Sequence, residues 1–143
     1  MATGDPAEEI RKLINDLGKI PPELRKALRP ALKGAAEPIV ADARGRASWS
    51  GRIPGAITLS VRLSKRNPGV SIRVRQTKAP HGRPWEGITG ATSFKHPVFG
   101  HRDRWVTQAT QPYLAPAAAA GTDDVLDAAA QTVDQVAREA GFR

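Results

Sequence analysis

Between residues 57 and 75 apolar and polar positions alternate. Ile57, Leu59, Val61 and Leu63 stand against Thr58, Ser60, Arg62 and Ser64; beyond a Lys65–Gly69 turn, Val70, Ile72 and Val74 stand against Ser71, Arg73 and Arg75. A period of two puts one set of side chains on each face of a strand. Residues 57–76 therefore predict a β-hairpin with one apolar and one basic face. On either side the period is helical. Asp5, Pro6 and Glu8 form a helix start, and Ile10, Leu13, Ile14 and Leu17 share a face that Gly18 can close. Pro21-Pro22-Glu23 restarts the helix, and Leu24, Leu28, Ala31, Leu32, Ala35 and Ile39 carry the stripe to about Arg44-Gly45. Pro30 and Pro38 are expected to kink or split it, since each removes a backbone donor. Val125, Leu126, Ala129, Val133, Val136 and Ala137 predict a last helix over 112–140, which Gly121-Thr122 either breaks or starts. Trp105–Gln108 reads as a short strand. Residues 78–104 show no period and read as a long loop or arm. The expectation is one α+β domain, 1–143: N-terminal helices (1–46) and a C-terminal helix packed on a small antiparallel sheet made of the hairpin and short strands (105–108).

Charge sharpens the picture. The chain carries +8 overall, but residues 44–104 hold thirteen Lys and Arg against Glu86 and Asp103 alone, whereas residues 105–143 hold two Arg against five acids. A basic middle and an acidic end allow two uses. One is neutralising the phosphates of nucleic acid through Arg62, Arg73 and Arg75. The other is head-to-tail pairing of copies, with that basic face against Asp123, Asp124, Asp127 and Asp134 of a neighbour. Aromatic residues are only 5 % of the chain, so the core must rest on Leu, Ile, Val and Ala. Stacking rings are missing from the strands of the basic hairpin, which counts against specific single-strand binding.

Candidate chemistry is sparse. There is no Cys, which excludes disulfides and thiolate metal sites. His81, His96 and His101 lack the i, i+4 spacing of a helical metal pair, and Glu86 and Asp103, the two acids of the irregular segment, are expected to pair with arginines. No phosphate-binding glycine loop, dinucleotide fingerprint or nucleophile elbow is present. No apolar run reaches membrane-spanning length, and the start MATGDPAEEI lacks the features of a leader peptide. The expectation is a soluble, non-enzymatic protein made in the cytoplasm, with no catalytic residue, metal or cofactor. A small hydrolase survives only as a residual idea, because Asp103, Glu86 and three histidines share one segment.

Three blocks carry a resemblance. They are Ser50-Gly51-Arg52-Ile53 followed by Ile57; Phe94-Lys95-His96-Pro97-Val98-Phe99-Gly100 with Trp105-Val106; and Gln111-Pro112-Tyr113-Leu114-Ala115-Pro116-Ala117. In this order, with helices before and after, they resemble the gp-ten-like family of siphophage tail-completion or neck proteins, in its actinobacterial-phage form. The resemblance spans about residues 20–140. Gln111 departs from the arginine usual there, and Pro54-Gly55 interrupts the first block. The resemblance implies a virion part at the head–tail junction: a ring of six copies, with twelve the alternative, touching neighbouring neck, connector, tail-terminator and tail-tube proteins and passing DNA without sequence preference. Trp85, Phe94, His96, Phe99, Arg102, Trp105 and Tyr113 are the candidate partner or inter-subunit contacts. The competing reading is a free basic DNA-binding protein of histone-like or regulatory kind.

Overall fold

The computed structural model describes Glu8 and residues 22–64 and 69–141. The expected first helix and the tip of the first hairpin lie outside the described residues, apart from helical Glu8. The fold is α+β, with helices packed on two small antiparallel sheets of two strands each.

Helix α1 runs Pro22–Arg46 without interruption through Pro30 and Pro38, so the expected split does not occur. Each proline leaves one carbonyl, of Lys26 or Gly34, without its helical donor. All four residues are exposed, so water can satisfy those carbonyls. Leu24, Leu28, Leu32, Ala36, Ile39, Val40 and Ala43 are buried at spacings of three, four or one, which turns one stripe of α1 inward. Glu23 in the first turn and Arg44 and Arg46 in the last complement the helix dipole. After a one-turn helix α2 (Ile53–Ala56), strands β1 (Ile57–Arg62) and β2 (Gly69–Val74) pair as the sequence predicts.

The irregular loop expected over 78–104 is largely ordered. It holds helix α3 (Gly82–Glu86), a 3-10 turn at Ile88–Gly90, strand β3 (Ser93–Val98) and the start of β4 (His101–Ala109). The strand expected at 105–108 is thus the second half of a longer one. Its first half showed no period because every side chain from His101 to Arg104 is exposed, and no buried face selects for alternation. β3 does alternate, with Phe94, His96 and Val98 half-buried, but a histidine and Pro97 disguise it. A two-stranded ribbon has only free outer edges, where proline is tolerated. Helix α4 (Leu114–Glu139) closes the described chain and passes straight through Gly121-Thr122, so these residues neither break nor start it. Gly121 is there for space: a Cβ would overlap the Ile39 side chain.

The chain groups into two compact units. The first comprises the described residues of Met1–Ile39, Leu59–Ile72 and Ala120–Arg143. Its core joins Leu24, Leu28 and Leu32 of α1 with Leu63 and with Ala129 of α4, flanked by Val61, Val70, Val125, Val133 and Val136. Arg29 donates to the Val61 carbonyl at 3.0 Å. The second comprises Val40–Thr58 and Arg73–Ala119. Its buried set is Val40, Ala43, Ala47, Ile53, Ala56, Ile57, Ala79, Tyr113 and Ala117. Arg44 donates from Nε to the Pro54 carbonyl (3.1 Å) and from Nη2 to that of Ile57 (3.3 Å), tying the last turns of α1 to the short α2.

Candidate functional site

Helix α4 begins without a local cap. No Ser, Thr, Asp or Asn precedes Leu114, yet the first backbone N–H groups of a helix need acceptors from outside it. Pro116 has no N–H, which leaves the amides of Tyr113, Leu114 and Ala115. All three donate to one carboxylate, that of Glu86 on α3: Tyr113 and Leu114 to Oε2 at 2.7 and 2.9 Å, Ala115 to Oε1 at 2.8 Å. The negative charge also sits at the positive end of a 26-residue helix. Beside it, Gln111 N–H donates to the Trp85 carbonyl (2.9 Å) and the Tyr113 hydroxyl to the Gly82 carbonyl (2.8 Å). Segment 111–115 is therefore pinned along α3. Gly82 must be glycine, since a Cβ there would lie 2.8 Å from the Tyr113 hydroxyl oxygen and 2.9 Å from a Val74 methyl.

Two sequence expectations are corrected by this arrangement. Tyr113, proposed as a partner contact, is fully buried and serves the interior. Its hydroxyl is pushed up to about 12, first by burial and then by the Glu86 charge. Glu86, expected to pair with arginine, caps a helix whose start lies 28 residues further along the chain.

The other candidates gather around strands β3 and β4. Trp49, Trp85, Phe94 and His96 form a row with ring centroids 4.7, 5.2 and 5.8 Å apart, the middle pair edge to face. Trp49 joins the row although it was not among the candidate contacts. The register pairs Phe94 with Gln108, Lys95 with Thr107, His96 with Val106 and Pro97 with Trp105. Directly paired residues share a face. Phe94, His96, Val106 and Gln108 thus lie on the ribbon face that carries the aromatic row, and Lys95, Pro97, Trp105 and Thr107 on the opposite one, where all four are exposed. Past Pro97 the register jumps so that Val98 opposes His101, leaving Arg102, Asp103 and Arg104 as an exposed bulge. Phe99 at the turn is fully exposed, Trp105 is 61 % exposed, and Gly100 has the positive φ the turn needs (80°).

Arg62, Arg73 and Arg75 are exposed, as are Asp123, Asp124, Asp127 and Asp134 along one side of α4. Asp134 is paired with Arg138 at 2.8 Å. His81 lies 3.2 Å from the Ser50 hydroxyl, whose oxygen also accepts from the amides of Arg52 and Ile53. Among the described residues no three His, Asp or Glu side chains gather to hold a metal ion. No described helix is long and apolar enough to cross a membrane. Compared with known protein families, with characterised proteins and with solved structures, the chain finds no match.

A two-stranded ribbon is marginally stable in water. Backbone amides of β3 and β4 are therefore expected to exchange with deuterium far faster in the free protein than those of Leu28–Ala36 in α1, and faster still in Phe94→Ala, which breaks the aromatic row. Equal protection of ribbon and helix would show that the ribbon needs no partner.

Proposed function

We propose that this chain is a structural subunit of a long-tailed bacteriophage particle, one copy of a ring in the neck or head–tail connector that joins tail to capsid and extends the DNA channel. The observation that carries the reading is the β3–β4 ribbon. It exposes Phe99, Trp105, Arg102 and Arg104 on a scaffold that holds it by a row of rings and a capped helix, an arrangement suited to gripping a partner. The three resembling blocks acquire physical reasons in support: the Ser50 hydroxyl accepts from the amides of Arg52 and Ile53 where α2 begins, Phe94–Gly100 with Trp105-Val106 forms the ribbon, and Gln111–Ala117 forms the pinned start of α4. Self-association into six copies, twelve being the alternative, contact with neighbouring neck and tail proteins, and location in the virion belong to the same proposal.

The test is genetic and structural. Deleting the gene from the phage that encodes it is expected to yield unjoined heads and tails, and purified protein is expected to restore joining. Labelled antibody should mark the head–tail junction. Normal particles without the protein would overturn the reading. The exposed Arg62, Arg73 and Arg75 favour one rival, a free DNA-binding protein. It requires retention of duplex DNA that falls steeply with salt and is lost when these arginines become glutamate.

A further inference from the structure

We infer that the exposed face of the β3–β4 ribbon docks on the acidic side of helix α4 in a second copy of this chain. The inference rests on the proposed function and names the contact that builds the ring.

The ribbon offers two kinds of group together. Trp105, Pro97 and Phe99 are apolar and exposed; Lys95, Arg102 and Arg104 are cationic and exposed, with Asp103 the one acid among them. A nucleic-acid backbone would satisfy the guanidinium groups but leave the Phe99 and Trp105 rings in water. The occupant that satisfies both is on the same chain. Along α4, exposed Ala120, Asp123, Asp124, Asp127, Ala130 and Asp134 follow at helical spacing, so three carboxylates stand between two methyl groups on one side, with a fourth beyond them. Asp123, Asp124 and Asp127 form no ion pair among the described residues, whereas Asp134 already holds Arg138. Small alanines let an aromatic ring lie flat on the helix while the flanking carboxylates reach arginines.

The assembly geometry follows. The two patches differ, so a copy that gives its ribbon to one neighbour still offers its helix to another. Such a heterologous contact repeats until it closes, which is how rings form.

The chain's own charges supply the test. Arg102→Glu with Arg104→Glu reverses the ribbon, and Asp124→Lys with Asp127→Lys reverses the helix; all four residues are exposed. By sedimentation each variant alone is expected to remain monomeric, with circular dichroism unchanged. An equal mixture is expected to regain the wild-type assembly size, because each reversed surface meets its complement. Trp105→Ser, which alters no charge, is expected to weaken assembly roughly tenfold or more, the scale of a buried interfacial aromatic. It also serves as the test should the reversed ribbon fail to fold. Wild-type assembly by the ribbon variant, a mixture that stays monomeric, or loss of duplex DNA retention with assembly intact would each overturn the inference. If the mixture assembles but the protein is absent from the head–tail junction, the proposed function fails and the contact stands. If the protein marks the junction while the ribbon variant still assembles, only the contact fails.

Discussion

Replacing Tyr113 with alanine is expected to cost on the order of 3–5 kcal/mol, the range for deleting a fully buried aromatic ring, read from the denaturant midpoint of the purified protein. Tyr113→Phe keeps the ring but leaves the Gly82 carbonyl without its 2.8 Å donor, and about 1–2 kcal/mol is expected. The two also differ in pH dependence. In the unfolded chain the phenol ionises near 10, and in the folded protein near 12. Between these values the unfolded state has lost a proton that the folded state keeps, so stability falls as pH rises from 10 to 12 and levels off beyond. A shift of this size corresponds to about 2–3 kcal/mol. Tyr113 is the only tyrosine, so tyrosinate absorbance follows this group alone, and subtracting the Tyr113→Phe profile removes every other titration. Identical profiles for wild type and Tyr113→Phe above pH 10 would show that the hydroxyl is not held as described. If Tyr113→Ala kept full stability and lost only assembly, Tyr113 would be a contact residue after all.

How much was legible in the sequence depended on whether burial imposed a period. α1, the β1–β2 hairpin and α4 each bury one face, and their apolar spacings show it: Leu24, Leu28 and Leu32; Val61 and Leu63; Ala129 and Val133. The β3–β4 ribbon buries little, so Arg102, Asp103 and Arg104 carry no trace of a strand, and the segment up to Arg104 read as a loop. Of the contact candidates, Trp85, Phe94 and His96 come together in one row, joined by Trp49, while Phe99, Arg102 and Trp105 stand exposed on the ribbon. Tyr113 was misread because its burial depends on α3, which the sequence did not announce. The split expected at Pro30 and Pro38 does not occur, and the carbonyls left without donors lie where water can reach them. For Glu86 a signal did exist. A helix that starts Gln-Pro-Tyr-Leu with no capping side chain must find acceptors elsewhere, and an isolated acid in a basic segment is the natural candidate.

Glu86→Ala is accordingly expected to be among the most damaging single changes at a residue outside the buried core, at about 2–4 kcal/mol. Three N–H groups lose a charged acceptor at once. A lost cap costs typically about 1 kcal/mol, and bonds to a charged partner about 1.5–3 kcal/mol each. Partial hydration, above all at the exposed Ala115 amide, keeps the sum below three such bonds. Glu86→Gln separates charge from shape. One amide oxygen can still accept from Tyr113 and Leu114, as Oε2 does now, but the NH2 group then faces the Ala115 N–H with nothing to accept. About half of the Glu86→Ala loss is expected. The same substitution removes the second of the two causes that raise Tyr113 and leaves the first, so its ionisation should fall below 12 and stay above 10 in a tyrosinate titration. Deuterium exchange should speed at Leu114 and Ala115 before it changes at Ala129, because the damage begins at the uncapped end. A carboxylate whose two oxygens are both engaged by backbone amides at 2.7–2.9 Å is fixed in place. Unchanged stability in Glu86→Ala would dismantle this account of how the segment before α4 is held to α3.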